Sequence, residues 1–105
     1  MDAAVDFYEL LGMRSVYGGR GEPFTTMACG RSFVNLQAAD PGDATRWGRV
    51  ILHVDSVATV DAVHRTLLDA GHETETEPAD AVWGERYFHV RDPDGHELSI
   101  AVRLP

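Results

Sequence analysis

The sequence contains no lysine and carries little positive charge, since its nine basic residues are all arginines and stand against seventeen acidic residues. The net charge of −8 leaves no basic patch that could neutralise phosphates, so nucleic acid is excluded as a partner and anionic membranes are disfavoured. A cationic ligand suits such a surface, although a solvated acidic surface explains the same charge.

Cysteine and long apolar runs are also scarce. Cys29 is the single cysteine, which excludes an intrachain disulfide, and its apolar surroundings are typical of a buried thiol. No stretch approaches the roughly 18 consecutive apolar residues of a membrane span, and the first residues lack the basic start of a signal peptide. The 105 residues therefore predict a single cytoplasmic domain with no membrane partner.

The clearest local pattern is a β-hairpin near the end of the chain. Phe88 and Val90 alternate with Tyr87 and His89, the period of a strand with one apolar and one mixed face. The next four residues, Asp92-Pro93-Asp94-Gly95, favour a reversal, because proline presets φ, aspartate bonds its own backbone and glycine accepts positive φ. Alternation resumes after this turn.

The rest of the chain predicts two similar halves. The predicted elements are a helix over 2–11 with Asp2 as N-cap, strands over 14–17, 24–29 and 32–36, a connection over 38–46, a strand over 47–54, a helix from N-cap Ser56 to about 70, a polar strand over 73–77 and the hairpin. Residues 47–105 thus form a complete βαβββ unit, and residues 1–37 form the same unit without its opening strand. We predict an α+β fold in which these paired units curl their mixed sheets around a cleft.

Strand alternation also predicts which side chains face that cleft. The residues opposite the apolar, helix-facing positions are Arg49, Ile51, His53, Tyr87, His89, Glu97, Ser99 and Ala101. Trp83 borders this set, and with Tyr87 it offers either a stacking wall for a planar ligand or packing at a sheet edge. His53, His89 and Glu97 could form a metal site or an acid–base pair, or simply a solvated surface.

Two motifs resemble the vicinal oxygen chelate superfamily, which includes glyoxalase I, bleomycin-binding resistance proteins, fosfomycin-modifying enzymes and extradiol dioxygenases. The run Trp-Gly-x-Arg-x-Phe-x-Val-x-Asp-Pro-Asp-Gly-His over 83–96 is similar to the last hairpin of that family. Residues 7–13, Phe-Tyr-Glu-Leu-Leu-Gly-Met, resemble its first helix and glycine exit. The resemblance extends over nearly the whole chain.

The resemblance implies four places for metal ligands, and this chain does not fill them with metal-binding residues. The first falls on the missing opening strand, and the second on Val34 or Asn35, depending on register. The third falls on Arg49 and the fourth on Ser99. Because a guanidinium has no acceptor and a hydroxyl is a poor ligand, we predict no metal and no other cofactor.

These observations favour a metal-free small-molecule-binding protein that sequesters an antibiotic or another planar or cationic ligand. Its predicted ligand-binding residues are Arg49, His53, Trp83, Tyr87, His89 and Ser99. The alternatives are a metal-dependent lyase or dioxygenase of the same superfamily, with ligands supplied differently, and a structural dimer without a ligand; whether the chain is an enzyme stays open. Because the first unit ends early and leaves unpaired strand edges, we also predict a homodimer.

Overall fold

The computed structural model of the protein describes residues 1–40, 42 and 48–105. Its contacts divide the chain into two compact units, Met1–Ala44 and Thr45–Pro105. The first contains α1 (Asp2–Leu10), β1 (Arg14–Tyr17), β2 (Phe24–Cys29) and β3 (Ser32–Gln37). The second contains β4 (Val50–His53), α2 (Val57–Asp69), β5 (Ala79–Ala81), β6 (Glu85–Arg91) and β7 (Glu97–Arg103). The predicted α+β class is confirmed, and the first unit has the predicted order of one helix and three strands.

In the first unit, α1 packs on the antiparallel sheet β1-β2-β3. The helix buries one face, with Val5 and Phe7 fully enclosed, and it ends before Gly12, whose φ of 93° needs a residue without a side chain. The predicted N-cap was wrong by one residue, because Met1 is at the N-cap position, without a side-chain hydrogen bond, and Asp2 lies in the first turn. The Asp2 carboxylate instead accepts a hydrogen bond from the Gly21 backbone N–H at 2.7 Å.

In the second unit, α2 packs on β6 and β7 of a four-stranded sheet ordered β4-β7-β6-β5. Ser56 caps the helix as predicted, since its hydroxyl accepts a hydrogen bond from the Thr59 backbone N–H at 3.1 Å. The buried helix residues are Val60, Val63 and Leu67, and the buried sheet residues facing the same core are Phe88, Val90, Leu98 and Ile100.

The predicted hairpin joins β6 to β7 in the middle of this sheet. The Asp92 carboxylate is buried and accepts hydrogen bonds from the backbone N–H groups of Asp94 at 3.0 Å and His96 at 2.9 Å. Gly95 has a φ of 85° and donates its N–H to the Asp92 carbonyl. This turn fixes a pairing in which His89 lies opposite Ser99 and Tyr87 lies opposite Ala101.

Two predicted strands differ from the structure. The strand expected over 73–77 is absent, and β5 forms instead after Pro78, where Ala79–Ala81 pair with β6. The physical reason lies at His89, whose backbone N–H donates to the Thr76 hydroxyl and whose carbonyl accepts from the Glu75 N–H, so a side chain interrupts the ladder there. The strand predicted over 47–54 extends from Val50 to His53, and Trp47 lies outside the described residues.

Most of the predicted connection over 38–46 also lies outside the described residues, apart from 38–40 and 42. Neither α1 nor α2, the two helices within the described ranges, has the length and apolar character needed to cross a bilayer.

Candidate functional site

The predicted site residues of the second unit share one face of its sheet, opposite α2. The parallel pairing of β4 with β7 sets Ile51 beside Ser99 and His53 beside Ala101. The antiparallel pairing of β6 with β7 then adds His89 and Tyr87 to the same rows. We call this surface the polar face and define it by His53, Tyr87, His89, Glu97 and Ser99; Arg49 joins it through an ion pair with Glu97.

Three rings form a column along the polar face. The ring centroids of Trp83 and Tyr87 are 5.7 Å apart with planes inclined by 30°, and those of Tyr87 and His89 are 4.9 Å apart with planes inclined by 49°. The Trp83 indole N–H donates to a Glu85 carboxylate oxygen at 3.0 Å, which sets the orientation of the indole. Trp83 is nevertheless 67% exposed, so the column has an open end at this ring.

At the inner end of the column, His89 is held on several sides. Its Nδ1 lies 2.7 Å from the hydroxyl oxygen of the buried Ser99, and the tautomer decides which of the two donates. Its backbone is bound to Thr76 and Glu75 as described above. Burial lowers the pKa of His89, and the positive charge of Arg49 lowers it further, against the opposing effect of nearby glutamates. Both effects favour the neutral imidazole over the imidazolium ion.

A row of alternating charges runs beside this imidazole. One Glu97 carboxylate oxygen lies 3.3 Å from an Arg49 nitrogen, and the other accepts a hydrogen bond from Arg91 at 2.9 Å. The second side of Arg91 lies 3.4 Å from Glu75. One carboxylate of β7 thus joins Arg49, which directly precedes β4, to Arg91 of β6, and the guanidinium of Arg49 is held at the inner end of the column.

The residues around Arg49 and Ser99 on the polar face do not fit a divalent metal ion. Arg49 brings a fixed positive charge, and the hydroxyl of Ser99 is engaged with His89. Across residues 1–40, 42 and 48–105, no group of three or more His, Cys, Asp or Glu side chains is arranged to hold a metal ion.

The structure brings together most of the predicted site residues, but not all of them. Trp83, Tyr87, His89 and Ser99 form one connected set, and Arg49 is coupled electrostatically to His89. His53 lies on the same face by register and is exposed, and no hydrogen bond, ion pair or ring contact in the described part of the chain joins it to the others.

Sequence reasoning missed Arg91 and Glu75. Arg91 follows His89 by two positions, so the same alternation that selected Tyr87 and His89 would have selected it. No sequence pattern indicated Glu75, because it lies in the non-strand segment after α2, and this segment approaches β6 only in the folded chain.

A separate groove of about 330 Å³ opens near the end of α2. It is lined by His64, Leu68 and residues 73–77, three of which are glutamates. His64 lies 3.0 Å from the Thr74 hydroxyl and packs edge-on against Phe88. None of the six predicted site residues lines this groove, but it shares Glu75 and Thr76 with the surroundings of His89.

Comparisons with known proteins agree with this architecture. The model of the Glyoxalase/Bleomycin resistance protein/Dioxygenase superfamily matches residues 1–100. A hypothetical protein from S. aureus, SA1046, superposes with a TM-score of 0.77 at 21% identity, covering 97% of this chain and 87% of that chain. Lactoylglutathione lyase from Agrobacterium tumefaciens gives 0.72 at 19% identity, covering 96% and 84%. TioX from Micromonospora gives 0.72 at 23% identity, covering 99% and 88%.

A search of curated proteins found no match. The three structural likenesses described above, each below 25% identity, concern the fold, whereas the family model extends over nearly the whole sequence. The chain therefore belongs to the Glyoxalase/Bleomycin resistance protein/Dioxygenase superfamily.

Proposed function

We propose that the protein binds a small planar molecule on the polar face without a metal ion. The observation that carries this proposal is the open end of the aromatic column, where Trp83 is 67% exposed and already stacked on Tyr87. A planar ligand that extends the column buries an aromatic face that now meets water, and exposed aromatic side chains commonly anchor ligands in this way.

The surrounding charges favour a neutral or cationic ligand. The Trp83 indole is flanked by the carboxylate of Glu85, and the chain as a whole carries a charge of −8. A cation lying over the indole gains both from the ring face and from the acidic surface. Sequestration of an antibiotic of this chemical kind is part of the proposal.

The ligand-binding test uses two matched variants. Bleomycin and a panel of planar cationic dyes are titrated while thermal unfolding and tryptophan fluorescence are followed. Trp83→Ala should abolish or weaken binding at least about tenfold, as expected for an aromatic anchor. Val82→Ala, at a neighbouring and fully exposed residue, should leave it unchanged. If Trp83→Ala and Val82→Ala bound every compound with equal affinity, the proposed binding site at Trp83 would be contradicted.

Absence of a metal is the second part of the proposal, and the donor chemistry at Arg49 and Ser99 supports it. Protein purified without chelators should contain far less than one equivalent of Zn, Ni, Mn or Fe by elemental analysis. About one tightly held metal ion per chain would favour the alternative of a metal-dependent lyase or dioxygenase.

Acid–base chemistry is a second candidate, and one observation favours it. The Nδ1 of His89 lies 2.7 Å from the Ser99 hydroxyl oxygen, a contact that orients the ring. Burial lowers the pKa of His89 and so favours the neutral form that can accept a proton. If any compound that binds is also converted, His89→Gln should remove turnover and keep binding. Turnover that survives this change would exclude His89 as the base.

We further propose that the protein is a homodimer, because its sheets end in open edge strands. Light scattering at micromolar concentration should give twice the chain mass of 11.5 kDa. A stable monomer under these conditions would refute this part.

A further inference from the structure

The outer edge of β3 differs from the other sheet edges of the molecule. The described edge strands are β1, β3, β4 and β5. β1 contains Arg14 and an irregular register, β4 is four residues long, and β5 is three residues long, follows Pro78 and contains Asp80. Charges, proline, bulges and short length are the usual means of keeping an edge strand from pairing.

β3 has none of these protections. Its six residues, Ser-Phe-Val-Asn-Leu-Gln, include no ionisable side chain, and Phe33 is 63% exposed. Within the described residues no strand pairs with β3 on the side away from β2. A free edge of this composition is suited to pairing with another strand.

The backbone groups available at that edge follow from one hydrogen bond. The Ala38 N–H donates to the Pro23 carbonyl at 2.8 Å, which makes these two residues a hydrogen-bonded pair in the extension of the β2–β3 ladder. Because such pairs alternate along antiparallel strands, Ser32, Val34 and Leu36 bond to β2. The N–H and C=O groups of Phe33, Asn35 and Gln37 then point outward.

We propose that β3 pairs antiparallel with β3 of a second copy of this chain, with the two-fold axis at Asn35. This register pairs Asn35 with its own copy and Phe33 with Gln37 of the partner, so all three residues with outward groups are used. It allows about six backbone hydrogen bonds, and it sets the exposed ring of Phe33 against the methylene groups of the partner's Gln37. The inference specifies the interface of the homodimer proposed above and rests on that proposal.

Charge favours this partner and this direction. Two chains of charge −8 repel each other unless they meet through an uncharged surface, and β3 provides one. The antiparallel register also brings Arg31 opposite Ala39 of the partner, next to the partner's Asp40. Both charged residues are exposed and have no ion-pair partner within the described residues. A parallel pairing in register would instead place the two Arg31 side chains together.

Disulfide trapping tests the register directly. In a Cys29→Ser background, Asn35→Cys should form a covalent dimer under mild oxidation, because directly opposed residues of a hydrogen-bonded pair lie about 5.5 Å apart, within disulfide range. Gln37→Cys is the matched control on the same strand, and its two copies would be roughly 13 Å apart. Gln37→Cys should therefore crosslink with Phe33→Cys in a mixture of the two variants but not with itself.

A proline substitution tests the same edge of β3 without covalent crosslinking. The N–H of Asn35 points away from β2, so Asn35→Pro removes an outward donor and leaves the β2–β3 ladder in place. In light scattering, the wild type should have the mass of a dimer, twice the chain mass of 11.5 kDa, and Asn35→Pro should have the mass of a monomer. The circular dichroism spectrum of Asn35→Pro should be unchanged. If Asn35→Pro does not fold, the crosslinking pattern decides alone.

The outcomes separate the two proposals. A wild-type dimer in which Asn35→Cys does not self-link overturns the β3 interface and leaves the homodimer standing. A wild-type monomer overturns both. Efficient self-linking of Gln37→Cys, with none of Asn35→Cys, overturns the register.

Discussion

The turn between β6 and β7 provides the sharpest prediction for the second unit, because a single buried carboxylate accepts two of its backbone hydrogen bonds. Asp92 is 6% exposed and accepts two backbone hydrogen bonds, at 3.0 Å from Asp94 and 2.9 Å from His96. Asp92→Ala removes both. Hydrogen bonds to a charged group contribute about 1.5–3 kcal/mol each, but the freed N–H groups lie in a half-exposed turn and can bind water. We therefore expect a loss of about 3 kcal/mol in the free energy of unfolding.

That loss is large against the roughly 5–15 kcal/mol expected for a protein of this size. Urea unfolding followed by circular dichroism should show the midpoint fall, and Tm should drop by roughly 10–20 °C. Asp94→Ala is the matched control, since Asp94 lies in the same turn and is exposed; it should change stability by less than about 0.5 kcal/mol. Equal effects of the two substitutions would show that the turn is held by its proline and glycine, and the reasoning would fail.

Three further predictions concern a cap, a glycine and a histidine. Ser56→Ala should destabilise the protein by about 1 kcal/mol in urea unfolding because it removes the α2 cap. Thr66→Ala, at an exposed mid-helix residue, should be neutral or stabilising. A larger loss of stability in Thr66→Ala than in Ser56→Ala would contradict the role of Ser56 as a cap. Gly18→Ala should lower stability by about 3 kcal/mol or more, because its φ is 73° and the added Cβ would meet the Phe24 carbonyl oxygen at 2.0 Å. Gly21→Ala, with a φ of 79° and no atom within 4 Å, should lose only about 1 kcal/mol, and similar Tm values for the two would rule out the clash. The pKa of His89 is lowered from its usual value of 6.5 by burial and by Arg49. The unfolded chain therefore binds a proton at His89 more tightly than the folded chain does. The contribution of neutral His89 to the free energy of unfolding is complete above pH 6.5 and is lost as the pH falls through the lower, folded-state pKa. His89→Gln should flatten the fall in unfolding free energy that sets in as the pH drops below 6.5, and an unchanged slope would contradict a lowered pKa of His89.

The hairpin was predictable from sequence because its determinants are local. Alternation of Tyr87 and His89 with Phe88 and Val90 assigned the two faces, and the residues of the turn set the register that places His89 opposite Ser99. Ser56 was likewise recognisable as a cap, since a serine before an apolar helical repeat needs only its own neighbours to act.

The features of the fold and the candidate site that could not be predicted from the sequence depend on contacts between distant segments. The strand expected over 73–77 failed because the Thr76 side chain binds the His89 backbone in place of a ladder hydrogen bond. The sharing of Glu97 between Arg49 and Arg91 joins β7 to β6 and to the residue before β4, and no local pattern encodes it. The placement of the six predicted ligand-binding residues in an actual binding site stays a prediction.

The parallel pairing of β4 with β7 also has a consequence for the order of folding. β6 and β7 are joined by a short turn, whereas Val50 pairs with Leu98, and α2, β5, β6 and that turn all lie between these two residues. Closing that long loop lowers chain entropy before any contact compensates for it. We therefore expect β4 to join the sheet last, with slower amide protection at Leu52 than at Phe88 in pulse-labelling hydrogen exchange. On this order the ring column forms within a local hairpin, and Arg49 is the last side chain to reach it.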